Sequence, residues 1–200
     1  MTTVSDLAPS RRRPRSDALR SRTALIHAAI HVLADDPDAD LARVATTAGL
    51  SRQTLYAHFG SRSGLLDAVV HHITGEAAGL IRDARLEQGT ARDALVRYLD
   101  VFSRMPSAWT RVAATATEGQ SSADSAEVHR PVVDPLAAIV RRGQDAGEFT
   151  TDLPAAWLSA ATVALGHAAH EQESRGELTR EQARAALRTT LLRLYGAGDD

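Results

Sequence analysis

The sequence predicts an all-α protein, with a small N-terminal domain followed by a larger helical domain. Three observations carry that expectation. Apolar residues recur at intervals of three and four along most of the 200 residues, no stretch alternates as a strand would, and helix-capping signals punctuate the chain. A hydrophobic content of 44% supports a buried core without crosslinks, and the chain contains no cysteine.

The first helix is read from about residue 16, with Thr23, Ile26, Ala28, Ala29 and Leu33 along it. It ends at the acidic loop Asp35-Asp36-Pro37-Asp38-Ala39-Asp40, whose last residue can cap the helix that follows. Leu41, Val44, Ala45 and Ala48 then recur at helical spacing, Gly49 allows the backbone to turn, and Ser51 supplies a capping oxygen. A third helix starts at Arg52. At about 100° per residue, Leu55 and Phe59 share one face, while Gln53, Thr54 and Ala57 take the other, flanked by Tyr56 and His58.

A long helix follows, through Leu65, Leu66, Val69, Val70 and Ile73, past Leu80 to about Leu86. Gly64 near its start predicts a soft first turn, since glycine costs about 1 kcal/mol of helix propensity. Further helices are expected at about 91–105, 107–118, 132–147, 154–175 and 179–195. The last opens with the capping box Thr179-Arg180-Glu181-Gln182 and carries a stripe of Leu187, Thr190, Leu191 and Leu194.

Two short helices bent around a glycine, with the second showing polar groups outward, form the layout of a helix-turn-helix DNA reader. Ala57 is small enough to let the helix settle into a major groove, and Arg52, Gln53 and Thr54 then lie nearest the bases. Arg suits guanine and Gln suits adenine; Thr can offer its methyl to thymine or its hydroxyl to phosphate. The charge distribution agrees. The whole chain has a net charge of −2, yet residues 1–62 hold nine Arg against six Asp, whereas the remainder holds fourteen Arg against nineteen acids. All 23 basic residues are Arg, which with the abundant Ala points to a GC-rich genome and weakens arguments from Arg or Ala counts. Arg11, Arg12, Arg13, Arg15, Arg20 and Arg22 cluster around the start of the first helix, and Pro9 and Pro14 predict a flexible, extended basic arm over residues 1–15. Such charge runs are usually solvated tails; next to a DNA-reading unit, this one is also a candidate for phosphate or minor-groove contact.

The motif Ala48-Gly49-Leu50-Ser51, then Thr54-Leu55-Tyr56-Ala57-His58-Phe59, then Ser61-Arg62 and Leu65, resembles the TetR/AcrR family of bacterial transcription regulators over roughly residues 16–70. That resemblance implies that Tyr56 and His58 contact phosphates, that Arg52, Gln53 and Thr54 meet bases or phosphates, that Thr46 or Thr47 reaches phosphate, and that Arg62 stands where the family has Lys at a helix start that favours an anion. The acidic loop is about two residues shorter than the family pattern.

The resemblance further implies a helix-turn-helix domain at 16–62, joined by the long helix to an effector-binding and dimerisation domain at 63–200. A homodimer is expected through the helices at about 154–175 and 179–195, on a palindromic double-stranded DNA operator with half-sites about 34–36 Å apart or multiples of that. A small-molecule effector is expected among the middle helices, with Phe102, Met105, Trp109 and Trp157 as apolar wall and Thr110, Thr115 and His129 as polar fixing points. Apolar residues at helical spacing are more often plain core. A regulator controlled by a protein partner, without a pocket, is the alternative; an accessible cavity would favour the effector reading.

No metal or other cofactor is expected. His27 and His31, and His167 and His170, share helical faces, but a site needs a third ligand. His170-Glu171-Gln172-Glu173-Ser174 begins like a zinc-protease motif and lacks its second His. There is no nucleophile elbow, phosphate loop or dinucleotide fingerprint, so no enzyme is expected. The absence of a long uncharged apolar run or a signal core predicts no membrane insertion and a cytoplasmic, nucleoid-associated location.

Overall fold

A computed structural model describes residues 13–117 and 122–197, with side chains over 16–113 and 127–197. All regular structure among the described residues is helical: α1 (Arg13–Asp35), α2 (Leu41–Thr47), α3 (Arg52–Phe59), α4 (Arg62–Asp83), α5 (Ala91–Arg104), α6 (Ser107–Thr117), α7 (Ser122–Asp145), α8 (Ala155–Ser174) and α9 (Arg180–Leu194). Two compact units meet between Val69 and Val70, within α4.

In the N-terminal unit, α1, α2 and α3 pack on one another around Leu25, Ala29, Val44, Leu55 and Leu65, all fully buried. Burying Leu55 is worth about 2 kcal/mol and fixes which face of α3 turns inward. Pro14, expected to hold the arm extended, lies in the first turn of α1. Helices tolerate proline there because its missing N–H would have no intrahelical partner. Of the remaining arm residues, Arg11 and Arg12 lie outside the described residues, as do the side chains of Arg13 and Arg15.

The start of α4 also departs from expectation. Ser61 Oγ accepts from Gly64 N at 3.0 Å, capping the helix. A Cβ on Gly64 would stand 2.2 Å from the Phe59 carbonyl oxygen. Glycine is therefore what lets the end of α3 close onto α4, and its propensity cost is offset by that approach.

In the C-terminal unit, α5 packs on α7 and α9, and α8 packs on α7 and α9. Their core includes Leu95, Tyr98, Leu136, Val140, Phe149, Leu158 and Tyr195. Tyr195 is fully buried, meets the Phe149 ring edge-on at 4.8 Å, and its hydroxyl lies 2.8 Å from Thr162 Oγ1 and 3.3 Å from the Leu158 carbonyl. Burial raises its pKa. Gly143 makes room for Phe149, since a Cβ would sit 2.1 Å from the ring.

The largest difference from the sequence reading is α7, which begins at Ser122 and runs through Pro131 and Pro135 where a start near 132 was expected. Each proline removes one N–H and so one rung of the helix. Packing against α5 and α8 carries the helix past both positions, and the Tyr98 hydroxyl donates to the Val132 carbonyl between them at 3.2 Å.

Candidate DNA-reading helices and effector cavity

Asp40 caps α2 by accepting from Ala42 N at 3.1 Å, and Ser51 caps α3 by accepting from Thr54 N at 3.1 Å. Between them the chain turns at Gly49, whose φ of 68° disfavours any residue with a Cβ. Leu50 N returns to the Ala45 carbonyl at 2.9 Å, closing the end of α2. These local bonds present α3 with Leu55 inward and Arg52, Gln53, Tyr56 and Ala57 exposed.

The exposed side chains are not equally available. Gln53 has no polar partner among the described residues, whereas Arg52 donates to Tyr56 Oη at 3.4 Å, lies 5.5 Å from that ring's centre and stands 4.0 Å from Asp40. The Tyr56 hydroxyl, and then Asp40, raise the Arg52 pKa further above its ordinary value. Thr54 is half-buried, with its hydroxyl 2.8 Å from Ser51 Oγ. Thr46 and Thr47 are exposed but donate back to the carbonyls of Ala42 and Arg43, each at 2.9 Å, so either must rotate to donate to a phosphate. His58 is half-buried beside Phe59, with ring centres 6.0 Å apart.

Arg62, expected to meet phosphate, also has partners within the chain. Its guanidinium donates to the Ala39 carbonyl at 2.7 Å and to the Pro37 carbonyl, tying α4 to the short acidic loop. Arg43 holds the same loop through Asp36 at 3.1 Å. Arg22 of α1 lies over the Phe59 ring at 5.4 Å, a cation–π contact that periodicity along one helix does not reveal.

The C-terminal unit contains a cavity of about 260 Å³. Phe102, Met105, Thr110 and His129 line it. Thr115 lies outside the residues with described side chains. Trp109 is not in its wall; that ring packs against His72, with centres 5.7 Å apart. Trp157 is not in the wall either and is 60% exposed. The reason is helical phase, because Trp157 precedes the wall residue Gly166 by nine positions, which is about half a turn around α8. Ala160, Ala164 and Ala168 share its exposed face.

Sequence reading found Thr110 and His129 but missed the charged part of the wall, formed by Asp100, Glu173, Arg180, Arg184 and Arg188, with His170 beside it. Arg180, Arg184 and Arg188 repeat every four residues, a signal that was present in the sequence; the partner of Arg184 lies far away along the chain. Arg184 pairs with Asp100 at 2.6 Å, and Arg180 with Glu173 at 3.1 Å. Nε2 of His170 is buried without a hydrogen-bond partner among the described residues, and burial lowers the imidazole pKa against the opposing pull of Glu173.

A helix-turn-helix unit with one open polar face, followed by a helical unit with an apolar cavity, defines a class of protein. The family profile described as "Bacterial regulatory proteins, tetR family" matches residues 25–69. The curated HTH-type transcriptional repressor LfrR of Mycolicibacterium smegmatis is 35% identical over 81 residues, covering 40% of this chain and 43% of that protein, so the match spans less than half of the relative. Over nearly the whole chain the fold matches the crystal structure of LfrR in complex with proflavine, with a TM-score of 0.72 at 24% identity over 89% of this chain and 97% of that one. It also matches FadR of Bacillus subtilis in complex with stearoyl-CoA, with a TM-score of 0.76 at 15% identity over 88% and 99%. A putative TetR-family regulator from Rhodococcus sp. gives 0.68 at 24% identity over 88% and 99%. Residues 25–69 thus match the tetR family of bacterial regulatory proteins, and the chain as a whole has the fold of TetR-like regulators.

Proposed function

We propose that this protein is a sequence-specific transcriptional repressor that acts as a homodimer on a palindromic operator and releases it when a small molecule enters the C-terminal cavity. The observation that carries the reading is the open face of α3, where Gln53 stands free and Arg52 and Tyr56 flank it, on a scaffold pinned by two capped helices. The 35% identity to a transcriptional repressor over 81 residues supports the same assignment. Gln53 is assigned to base readout, with Arg52, Thr54, Tyr56 and His58 on neighbouring bases and phosphates.

Two short recognition helices related by symmetry give the selectivity that one alone lacks. Dimerisation is assigned to α8 and α9; on α8, Trp157, Ala160, Ala164 and Ala168 form an exposed face with an aromatic anchor among small residues. The cavity supports effector control over control by a protein partner. Ile73, Thr74 and Ala77 of α4 line it, so an effector that moves α4 changes the spacing of the reading heads. A regulator of this kind works in the cytoplasm at the nucleoid, and no helix among the described residues is long and apolar enough to cross a membrane.

The test is anisotropy of a labelled duplex carrying the palindrome nearest the protein's own gene, against scrambled DNA at physiological salt. Selective binding by one dimer or a pair of dimers supports the reading. Equal, salt-labile binding to both, together with no selection from random DNA, would remove it.

A further inference from the structure

Resting on the proposed effector control, we infer that the cavity takes an amphipathic organic anion, with its apolar body inside and a carboxylate at the mouth against Arg188. Arg180, Arg184 and Arg188 occupy successive turns of α9, about 6 Å apart along its axis, and all three line the cavity. Like charges four residues apart repel unless something offsets them. Glu173 offsets Arg180, whose guanidinium also donates to the Met105 carbonyl at 3.2 Å, and Asp100 offsets Arg184. Arg188 lines the same cavity and has no ion pair with an acid among the described residues.

The two acids of the wall are therefore occupied, and one guanidinium is open. An incoming cation has to part Asp100 from Arg184 or Glu173 from Arg180, leaving an arginine without its partner. An anion meets Arg188 without breaking either pair. A carboxylate matches the planar fork of a guanidinium in two parallel hydrogen bonds.

The position of the charges sets the shape of the ligand. Asp100 and Glu173 side chains are each 24% exposed, and those of Arg180 and Arg184 about half exposed, so this polar row lies at the mouth, where a charged head keeps part of its hydration. The rest of the wall is largely apolar, with Ile73, Leu99, Phe102, Val132, Val163 and Leu187 from five helices. A body without polar groups fits such a surface, and one with many hydrogen-bonding groups leaves them unsatisfied.

The experiment uses three probes with the same ten-carbon chain: decanoate, decan-1-ol and decylammonium. Each is titrated into the full-length protein by calorimetry below its aggregation limit and added separately to the protein–operator complex. Decanoate is expected to bind roughly tenfold tighter than decan-1-ol, with decylammonium weakest. Arg188→Gln is expected to abolish the preference for decanoate while leaving the affinity for decan-1-ol in place, and Arg188→Lys to retain part of that preference. If decan-1-ol or decylammonium binds as tightly as decanoate, if none of the three binds, or if Arg188→Gln keeps the preference, the inference is overturned. Decanoate preference without any release of DNA would uphold the anion site and reject the effector-controlled regulator.

Discussion

Replacing Gly64 with alanine separates two opposing effects at the junction of α3 and α4. On helix propensity alone, Gly64→Ala stabilises the protein by about 1 kcal/mol. The new Cβ, however, would stand 2.2 Å from the Phe59 carbonyl oxygen and 3.3 Å from its carbon, both backbone atoms. Real Cβ contacts essentially never fall under 3.0 Å, so one helix end must shift by roughly 1 Å to relieve the clash. Overpacking of this kind costs about 1–3 kcal/mol, and because the obstacle is main chain it cannot be relieved by a rotamer change. Steric strain outweighs the propensity gain, so a net loss of up to about 2 kcal/mol is expected.

The assay is urea unfolding followed by far-UV circular dichroism, with amide exchange of the peptides covering residues 59–70 as the local readout. Faster exchange in that segment and a lower unfolding midpoint are the expected result. Stabilisation by about 1 kcal/mol, as propensity alone requires, would refute the steric explanation.

Five other substitutions probe the reading helix, the acidic loop, the dimer face and the cavity. Gln53→Ala is expected to lose about 1–3 kcal/mol at particular operator positions, while Tyr56→Phe weakens binding evenly across sequences; equal losses for Gln53→Ala at every base substitution would remove it from the base readers. Arg62→Ala, which strips two carbonyl partners from the acidic loop, should lower unfolding stability by about 1–3 kcal/mol, and a reduced salt slope of DNA binding with unchanged stability would instead make Arg62 a phosphate contact. Trp157→Ala should weaken the dimer by about 2 kcal/mol in sedimentation equilibrium, and an unchanged dimer would exclude the exposed face of α8. Burial holds the His170 pKa below its unfolded value of 6.5, so between those two values the unfolded chain binds the extra proton and stability drops as pH falls; His170→Gln should flatten the stability curve in that interval, which unfolding midpoints at several pH values will show.

What could be read from sequence was set by distance along the chain. The caps at Asp40 and Ser51, the turn at Gly49 and the inward Leu55 depend on neighbours within four residues, and periodicity was enough to find them. Arg62 and Gly64 depend on tertiary partners. The bonds from Arg62 to the carbonyls of Pro37 and Ala39 join residues more than twenty apart, and Gly64 reads as a weak helix start until the Phe59 carbonyl is found in the space of its missing side chain.

The cavity was only partly legible for a related reason. Phe102 and Met105 line it, but size and apolarity do not reveal the phase of Trp157 on α8, and half a turn separates it from the wall. The paired charges of the rim join residues 84 apart in Asp100 and Arg184, which no local pattern links. Prolines misled in both directions. Pro14 sits where a helix can begin, and Pro131 and Pro135 sit where packing overrides a break.

Selection of binding sites from random duplex DNA by the full-length protein asks most plainly whether α3 reads sequence. If it does, the selected pool is enriched in a two-fold symmetric motif, with half-site centres about one helical turn apart or a multiple of it, that loses base preference at matching positions of both halves in the Gln53→Ala protein. Enrichment of no motif, or of one whose base preferences are untouched by Gln53→Ala, would contradict the assignment of α3 as the reading helix.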